Sequence, residues 1–224
     1  VQLLPALTPN QTRAIALAAA PTVALLTLNG LYLASALQTS VSLFWALDLL
    51  QFLVVPGASV WALWRVGVRP ADYGLGPLAT RPRDLVAYAL VAAVFCIVNG
   101  AASAASPYVA LAWGSGESLY PYAVPVEPNL AIIALLYFCL SAAFVEEIVF
   151  RGLLRLALPP RLFVPVSGLA FALIHWENGS WQTAVMLVLG FALAFLYSRI
   201  RNLWPFVFGH ALTDMLDFAG FFAF

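Results

Sequence analysis

The sequence predicts an all-α membrane protein, a polytopic helical bundle of about seven transmembrane helices forming one integral-membrane domain over residues 1–224. Three observations carry this. The chain is 63% hydrophobic and only 9% charged. A soluble domain has about 25% charged residues, and a soluble chain of this length could not hide so much apolar surface. The apolar residues group into seven segments of membrane-helix character. The ten basic residues are all Arg, and they fall on one side of a seven-span topology.

The segments are Ala14–Ala36, Val41–Trp64, Leu85–Ala105, Leu130–Leu156, Leu162–Trp176, Thr183–Tyr197 and Trp204–Phe224. The first is long, lacks a small-residue cleavage pattern and is followed by further spans. It reads as a membrane helix and not as a signal peptide. The fifth and sixth are short for a span, which needs roughly 17–25 residues. They are expected to extend at their ends or to sit deep among neighbours. Pro205 suits the first turn of the seventh. Backbone groups in lipid must be satisfied within the segment, so helices are the only reading of seven such runs.

Arg13 precedes the first segment, and Arg65, Arg69, Arg81 and Arg83 follow the second. Arg151, Arg155 and Arg161 cluster at the end of the fourth, and Arg199 and Arg201 follow the sixth. With a cytoplasmic N-terminus every Arg falls inside, while Ser106–Asn129 and His175–Gln182 fall outside without any. The expected setting is a prokaryotic plasma membrane. Net charge is zero and there is no basic tract, so nucleic acid has no support as a partner. Cys96 and Cys139 lie inside apolar segments, without the spacing of a metal or redox motif.

The most informative feature is Glu146-Glu147-x-x-x-Arg151 inside the fourth apolar run. Each such charge near the middle of a membrane helix costs about 2.5–3.5 kcal/mol, so three together would penalise a passive anchor. Spacing of four puts Glu147 and Arg151 on one helix face, which leaves Glu146 freer to face a site. Two further elements are Phe171-x-x-x-His175 and His210-x-x-x-Asp214, which contain the only two His of the chain. Asp214 shares a face with His210 and could orient its imidazole. At 1.5 Å per residue from the cytoplasmic helix ends, Glu146, His175 and His210 lie roughly 10–20 Å deep, within one layer. Two chemistries fit. Glu146 could deprotonate a water that attacks a carbonyl, with the imidazoles holding the water or an oxyanion. Alternatively Glu146, His175 and His210 could ligate zinc.

The runs FVEEIVFRGLL (Phe144–Leu154), FALIHWENG (Phe171–Gly179) and GHALTDML (Gly209–Leu216) resemble the three ordered motifs of the CPBP intramembrane protease family. It is also called the CAAX-protease, bacteriocin-processing or Abi family, and it includes the Rce1-type prenyl-protein proteases. The resemblance implies an intramembrane endopeptidase whose family-like catalytic core is residues 130–224. It implies that Glu146 activates water, that His175 works with it, and that His210 supports the oxyanion. Glu147, Arg151 and Phe171 take supporting places. Asp214 stands where well-studied relatives have Asn, whose amide can donate to an oxyanion as an ionised carboxylate cannot. The implied partners are the lipid bilayer and a peptide or membrane-anchored protein substrate, and the favoured reading has no cofactor. The alternative is a catalytically silent relative, a bacteriocin-immunity or assembly protein. A proton-relay transporter is a third reading.

Asp48 and Gln51 in the second segment read as helix-to-helix hydrogen-bonding residues, and Asp217 as an extension of the Asp214 patch. Trp113, Trp176, Trp181 and Trp204 read as interfacial belt residues. Gly152, Gly190 and Gly209 read as close-packing positions.

Overall fold

The computed structural model describes residues 7–78, 81–113 and 128–220. Among these, every regular element is helical. The principal helices are α1 (Pro9–Thr27), α2 (Asn29–Thr39), α3 (Val41–Arg65), α4 (Pro82–Trp113), α5 (Ala131–Ala157), α6 (Pro160–Leu173), α7 (Ser180–Ile200) and α8 (Trp204–Phe218). Four of them are long and apolar enough to cross a membrane, and the pair α1–α2 would make a fifth despite a bend of 59°. The expected first span is therefore broken at Leu28. The sixth expected segment, short in sequence, is a full 21-residue helix, whereas α6 has 14 residues and α8 has 15. At 1.5 Å per residue these two cover only about 21–23 Å. Ser106–Asn129 is helical as far as Trp113, since α4 continues through it. Glu117, Tyr120, Tyr122 and Glu127 lie outside the described residues.

Local chemistry explains the helix starts and interruptions. Thr8 and Gln11 form a reciprocal capping box at the start of α1. The Ser40 hydroxyl accepts the Leu43 N–H at 3.1 Å to start α3. Two helices contain a π-helical turn, α3 at Leu50–Val54 and α5 at Ile148–Leu153. In α3 the cause is Pro56, which has no N–H and crowds the carbonyl four residues back. The Val55 N–H accordingly reaches five residues back to the Leu50 carbonyl. In α5 the widened turn frees the Phe150 carbonyl, and the buried Ser167 hydroxyl of α6 donates to it at 2.6 Å.

Lipid is as apolar as leucine, so close backbone approach, more than burial, holds such helices together. A β-carbon on Gly190 would stand 2.9 Å from the Gly168 carbonyl oxygen, where α7 crosses α6. A β-carbon on Gly209 would meet Val91 and Phe95 of α4 at 3.2 Å, so this glycine lets α8 lie against α4. Large apolar side chains face outward, including Ile97 at 68% and Ile132 at 73% exposure. That is the distribution a lipid-facing surface requires.

At one end of the bundle the Arg-rich connection folds back as a plug. Tyr73 is buried, its carbonyl accepts the Tyr197 hydroxyl at 2.9 Å, and the Gly74 carbonyl accepts the Leu203 N–H at 3.0 Å. Gly74 has φ +96°, a left-handed conformation that favours glycine. Trp204 donates its indole N–H to the Gly76 carbonyl at 2.7 Å. The Arg65–Asp84 connection thus meets the helix ends that carry Arg199 and Arg201.

The two kinds of glycine should separate in thermal unfolding in detergent. Gly190→Ala is expected to cost about 1–3 kcal/mol, because backbone must move to admit the methyl group. Gly57→Ala, which has open space around it, is expected to be neutral or to gain about 0.5–1 kcal/mol of helix stability. Equal melting temperatures for the two would contradict this packing.

Candidate functional site

Three helices bring the singled-out residues together. Glu146 and Glu147 occupy the last α-helical positions of α5 before its π-helical turn, and Arg151 lies within that turn. Phe171 is near the end of α6, with His175 just beyond it. His210 and Asp214 lie one turn apart on α8. Glu146 Oε2 is 3.9 Å from His175 Nε2 and 3.9 Å from His210 Nε2. His210 Nε2 is also 3.7 Å from Asp214 Oδ1. Glu146, Glu147, Arg151, Phe171 and His210 are buried, and the side chains of His175 and Asp214 are 18% and 28% exposed. The cluster therefore opens toward His175 and Asp214.

Each imidazole is held from behind. His175 Nδ1 lies 2.7 Å from the Phe171 carbonyl oxygen, which can only accept, so Nδ1 carries the proton. A neutral His175 then presents a lone pair at Nε2 toward Glu146. His210 Nδ1 lies 2.9 Å from Glu147 Oε1. The ring's hydrogen-bond partner is thus Glu147, while Asp214, the partner that helical spacing offers, stands 3.7 Å from Nε2. The rings are flanked by aromatic walls, Phe95 at 5.2 Å from His210 and Phe171 at 4.8 Å from His175.

Behind the histidines sits Arg151. Its Nε is 3.2 Å from Glu147 Oε2, and both side chains are fully buried. Its guanidinium carbon lies 4.0 Å above the Phe171 ring, a desolvated cation–π contact. None of its nitrogens completes a hydrogen bond among the described residues. The carboxylate and the ring face are therefore its main compensation. Phe171 serves twice, with its ring under Arg151 and its carbonyl on His175.

Other expectations separate. Asp48 is fully buried and accepts a 2.8 Å hydrogen bond from the Tyr137 hydroxyl, so it does link α3 to α5. Gln51 is also fully buried, with neither amide atom hydrogen-bonded among the described residues. Asp217 is exposed. Trp176 and Trp204 are tied to backbone carbonyls at Thr27 and Gly76 through their indole N–H groups. Glu177 was missed by reasoning from the sequence. It is 2% exposed and bonds the backbone of α2. An acid in a short polar connection gives no sign of burial, and the helix break it serves is marked only by the turn-forming pair Asn29-Gly30 within the first apolar segment.

An apolar helical bundle enclosing two carboxylates, an arginine and two histidines defines an integral membrane protein with a buried polar site. Residues 128–216 match the family model described as Type II CAAX prenyl endopeptidase Rce1-like. The match covers all three motifs and the elements that build the site, so the resemblance read from those motifs is borne out over this stretch. The matched description is that of an endopeptidase, and the match lies in the C-terminal part of the chain. No curated protein and no solved structure matches the chain significantly.

The double duty of Glu147 predicts an asymmetric mutational pattern. Glu147→Gln should destabilise the protein by about 3–5 kcal/mol by stranding the buried Arg151. The double variant Glu147→Met with Arg151→Met should recover most of that loss, because no buried charge is left unpaired. Thermal unfolding in detergent reads both. A double variant less stable than the single would contradict the pairing.

Proposed function

We propose that the chain is an intramembrane endopeptidase that hydrolyses a peptide bond of a peptide or membrane-anchored protein with water activated by Glu146. The observation that carries this is the pair of 3.9 Å separations from Glu146 Oε2 to the two Nε2 atoms. They are too long for hydrogen bonds, yet one oxygen about 2.8 Å from each atom would bridge all three. Glu146 Oε2 has no hydrogen-bond partner among the described residues. In the peptidase reading that oxygen has a role, as the base for a water held between the two imidazoles, whereas a packing role leaves it none. This favours the peptidase over the silent relative.

The chemistry follows from the ring orientations. Water bound between the three groups gives one proton to Glu146, and its oxygen attacks the carbonyl carbon. His175, with Nδ1–H committed to Phe171, accepts the second water hydrogen at Nε2 and fixes the attack direction. His210 in its protonated form has Glu147 as counter-ion and donates Nε2–H to the oxyanion. When the tetrahedral adduct collapses, the C–N bond breaks and Glu146 returns its proton to the leaving amine. Asp214 stands at the open edge beside His210 Nε2 and contributes charge there, not ring orientation.

The residues fit zinc poorly. Tetrahedral bonds of about 2.0–2.1 Å place ligand atoms only about 3.3 Å apart, whereas Glu146 stands 3.9 Å from each Nε2. Among the described residues no three His, Cys, Asp or Glu are arranged to hold a metal ion. No step of the proposed reaction runs through a metal. We further propose a seven-span arrangement with a cytoplasmic N-terminus in a prokaryotic plasma membrane. Its support is that the Arg-bearing ends of the bundle meet around Tyr73 and Leu203.

Glu146→Gln should abolish cleavage while leaving the melting temperature nearly unchanged, since Gln keeps the shape and loses the base. Full activity in that variant would sink the mechanism. Asp214→Asn should retain activity, because Glu147 and not Asp214 holds His210. Purified active protein should contain well under one equivalent of zinc; stoichiometric zinc restoring activity after chelation would replace this mechanism. For topology, single cysteines at positions 40 and 71, without Cys96 and Cys139, should differ in intact cells. An impermeant reagent should label position 40 alone.

A further inference from the structure

Glu177 sits two residues beyond His175, in the connection between α6 and α7, and reaches across to the broken helix α1–α2. The bend at Leu28 leaves the first N–H groups of α2 without partners in the helix. In apolar surroundings each unpaired group carries a penalty of about 1–3 kcal/mol. The Glu177 carboxylate accepts two of them, the Gly30 N–H at Oε2 and the Leu31 N–H at Oε1, the latter at 3.4 Å. Its charge also lies at the positive end of the α2 dipole. The neighbouring Trp176 takes the other broken end, donating its indole N–H to the Thr27 carbonyl at 2.7 Å. A β-carbon on Gly30 would collide with the Glu177 carboxylate, so this position requires the absence of a side chain.

The connection is stiff enough to transmit this contact. The His175 N–H donates to the Ala172 carbonyl at 3.0 Å, and the His175 carbonyl accepts from the Asn178 N–H at 3.1 Å and the Thr183 hydroxyl at 3.2 Å. Gly179 closes the turn with φ +91° and donates to the Trp176 carbonyl at 3.2 Å. Residues 175–179 thus form one braced turn, with His175 at one end and Glu177 at its centre. On the far side, Ala18 and Thr22 of α1 line the same small cavity as Val145 and Val149, which flank Glu146 and Glu147 on α5. Helix α1 therefore also lies beside the stretch of α5 that carries the two acids.

We propose that Glu177 is a positioning residue for His175, fixing the imidazole relative to Glu146 by clamping the α1–α2 bend to the turn that carries it. The proposal rests on the reading of His175 as part of the reacting site, and its test needs no substrate. The chain has two His, so nitrogen NMR of histidine-labelled full-length protein in detergent gives two sets of ring signals. His175→Ala and His210→Ala assign them. Glu177→Gln removes the charge at constant size. Gly30→Ala pushes on the same carboxylate from the opposite side, far in sequence from His175. Both variants should move or broaden the His175 signals and leave those of His210 in place. The double variant should move His175 no further than the larger single effect, because both act through one contact. Trp176→Phe removes the Thr27 bond together with part of the ring, and should also move His175 even if Glu177→Gln fails to fold. Unmoved His175 signals in folded Gly30→Ala and Trp176→Phe would overturn the proposal, as would equal shifts at both histidines, which would mean general loosening. An inactive wild-type protein would count against the peptidase reading alone.

Discussion

The ion pair between Glu147 and Arg151 is the constraint on which the site depends. Both side chains are fully buried within an apolar bundle, where an isolated charge would be costly. The two are compensated by each other and by the face of Phe171 under the guanidinium. That compensation has geometric consequences. Glu147 has a second oxygen, and it holds the His210 ring. Phe171 has a backbone carbonyl, and it holds the His175 ring. One buried pair therefore sets the orientation of both imidazoles, whose free nitrogens then face Glu146. The π-helical turn of α5 belongs to the same arrangement, because it carries Arg151 and is braced by Ser167 from α6.

The division of labour between the two acids follows from burial and pairing. Glu147 is sealed, with one oxygen toward Arg151 and the other toward His210. Glu146 is 7% exposed and has an oxygen without a hydrogen bond. A base must have a free lone pair and a route for the proton it takes, and Glu146 has the first by construction. A proton-relay transporter would need a chain of polar groups leading on from this cluster. The other buried acid described in the membrane helices, Asp48, instead bonds Tyr137.

Much of this was legible in the sequence because charges in an apolar run have few explanations. The spacing of Glu147 and Arg151 on one face, the two histidines at helix ends and the shared depth of the layer all follow from helical geometry. What was not legible has physical reasons as well. A π-helical turn inserts a residue into the backbone without changing composition, so neither Leu50–Val54 nor Ile148–Leu153 left a signal beyond Pro56. The bend at Leu28 has only the turn-forming pair Asn29-Gly30 as a local mark, and the groups that satisfy its broken ends lie about 150 residues away at Trp176 and Glu177. Helical spacing offered His210 a nearby partner in Asp214. The stronger partner, Glu147, comes from another helix, and sequence separation hides such contacts. The span count is the least legible quantity, since α6 and α8 are too short to cross a membrane by length alone.

The central claim is that Glu146 and the two imidazoles hold one water in position to attack. A high-resolution experimental structure of the full-length protein in lipid, with ordered solvent resolved, tests it directly. The account predicts an oxygen within about 2.7–3.2 Å of Glu146 Oε2 and of Nε2 in both His175 and His210. Glu146 bonded directly to either imidazole, closing the space between them, would contradict it. So would a metal ion about 2.0–2.1 Å from all three atoms.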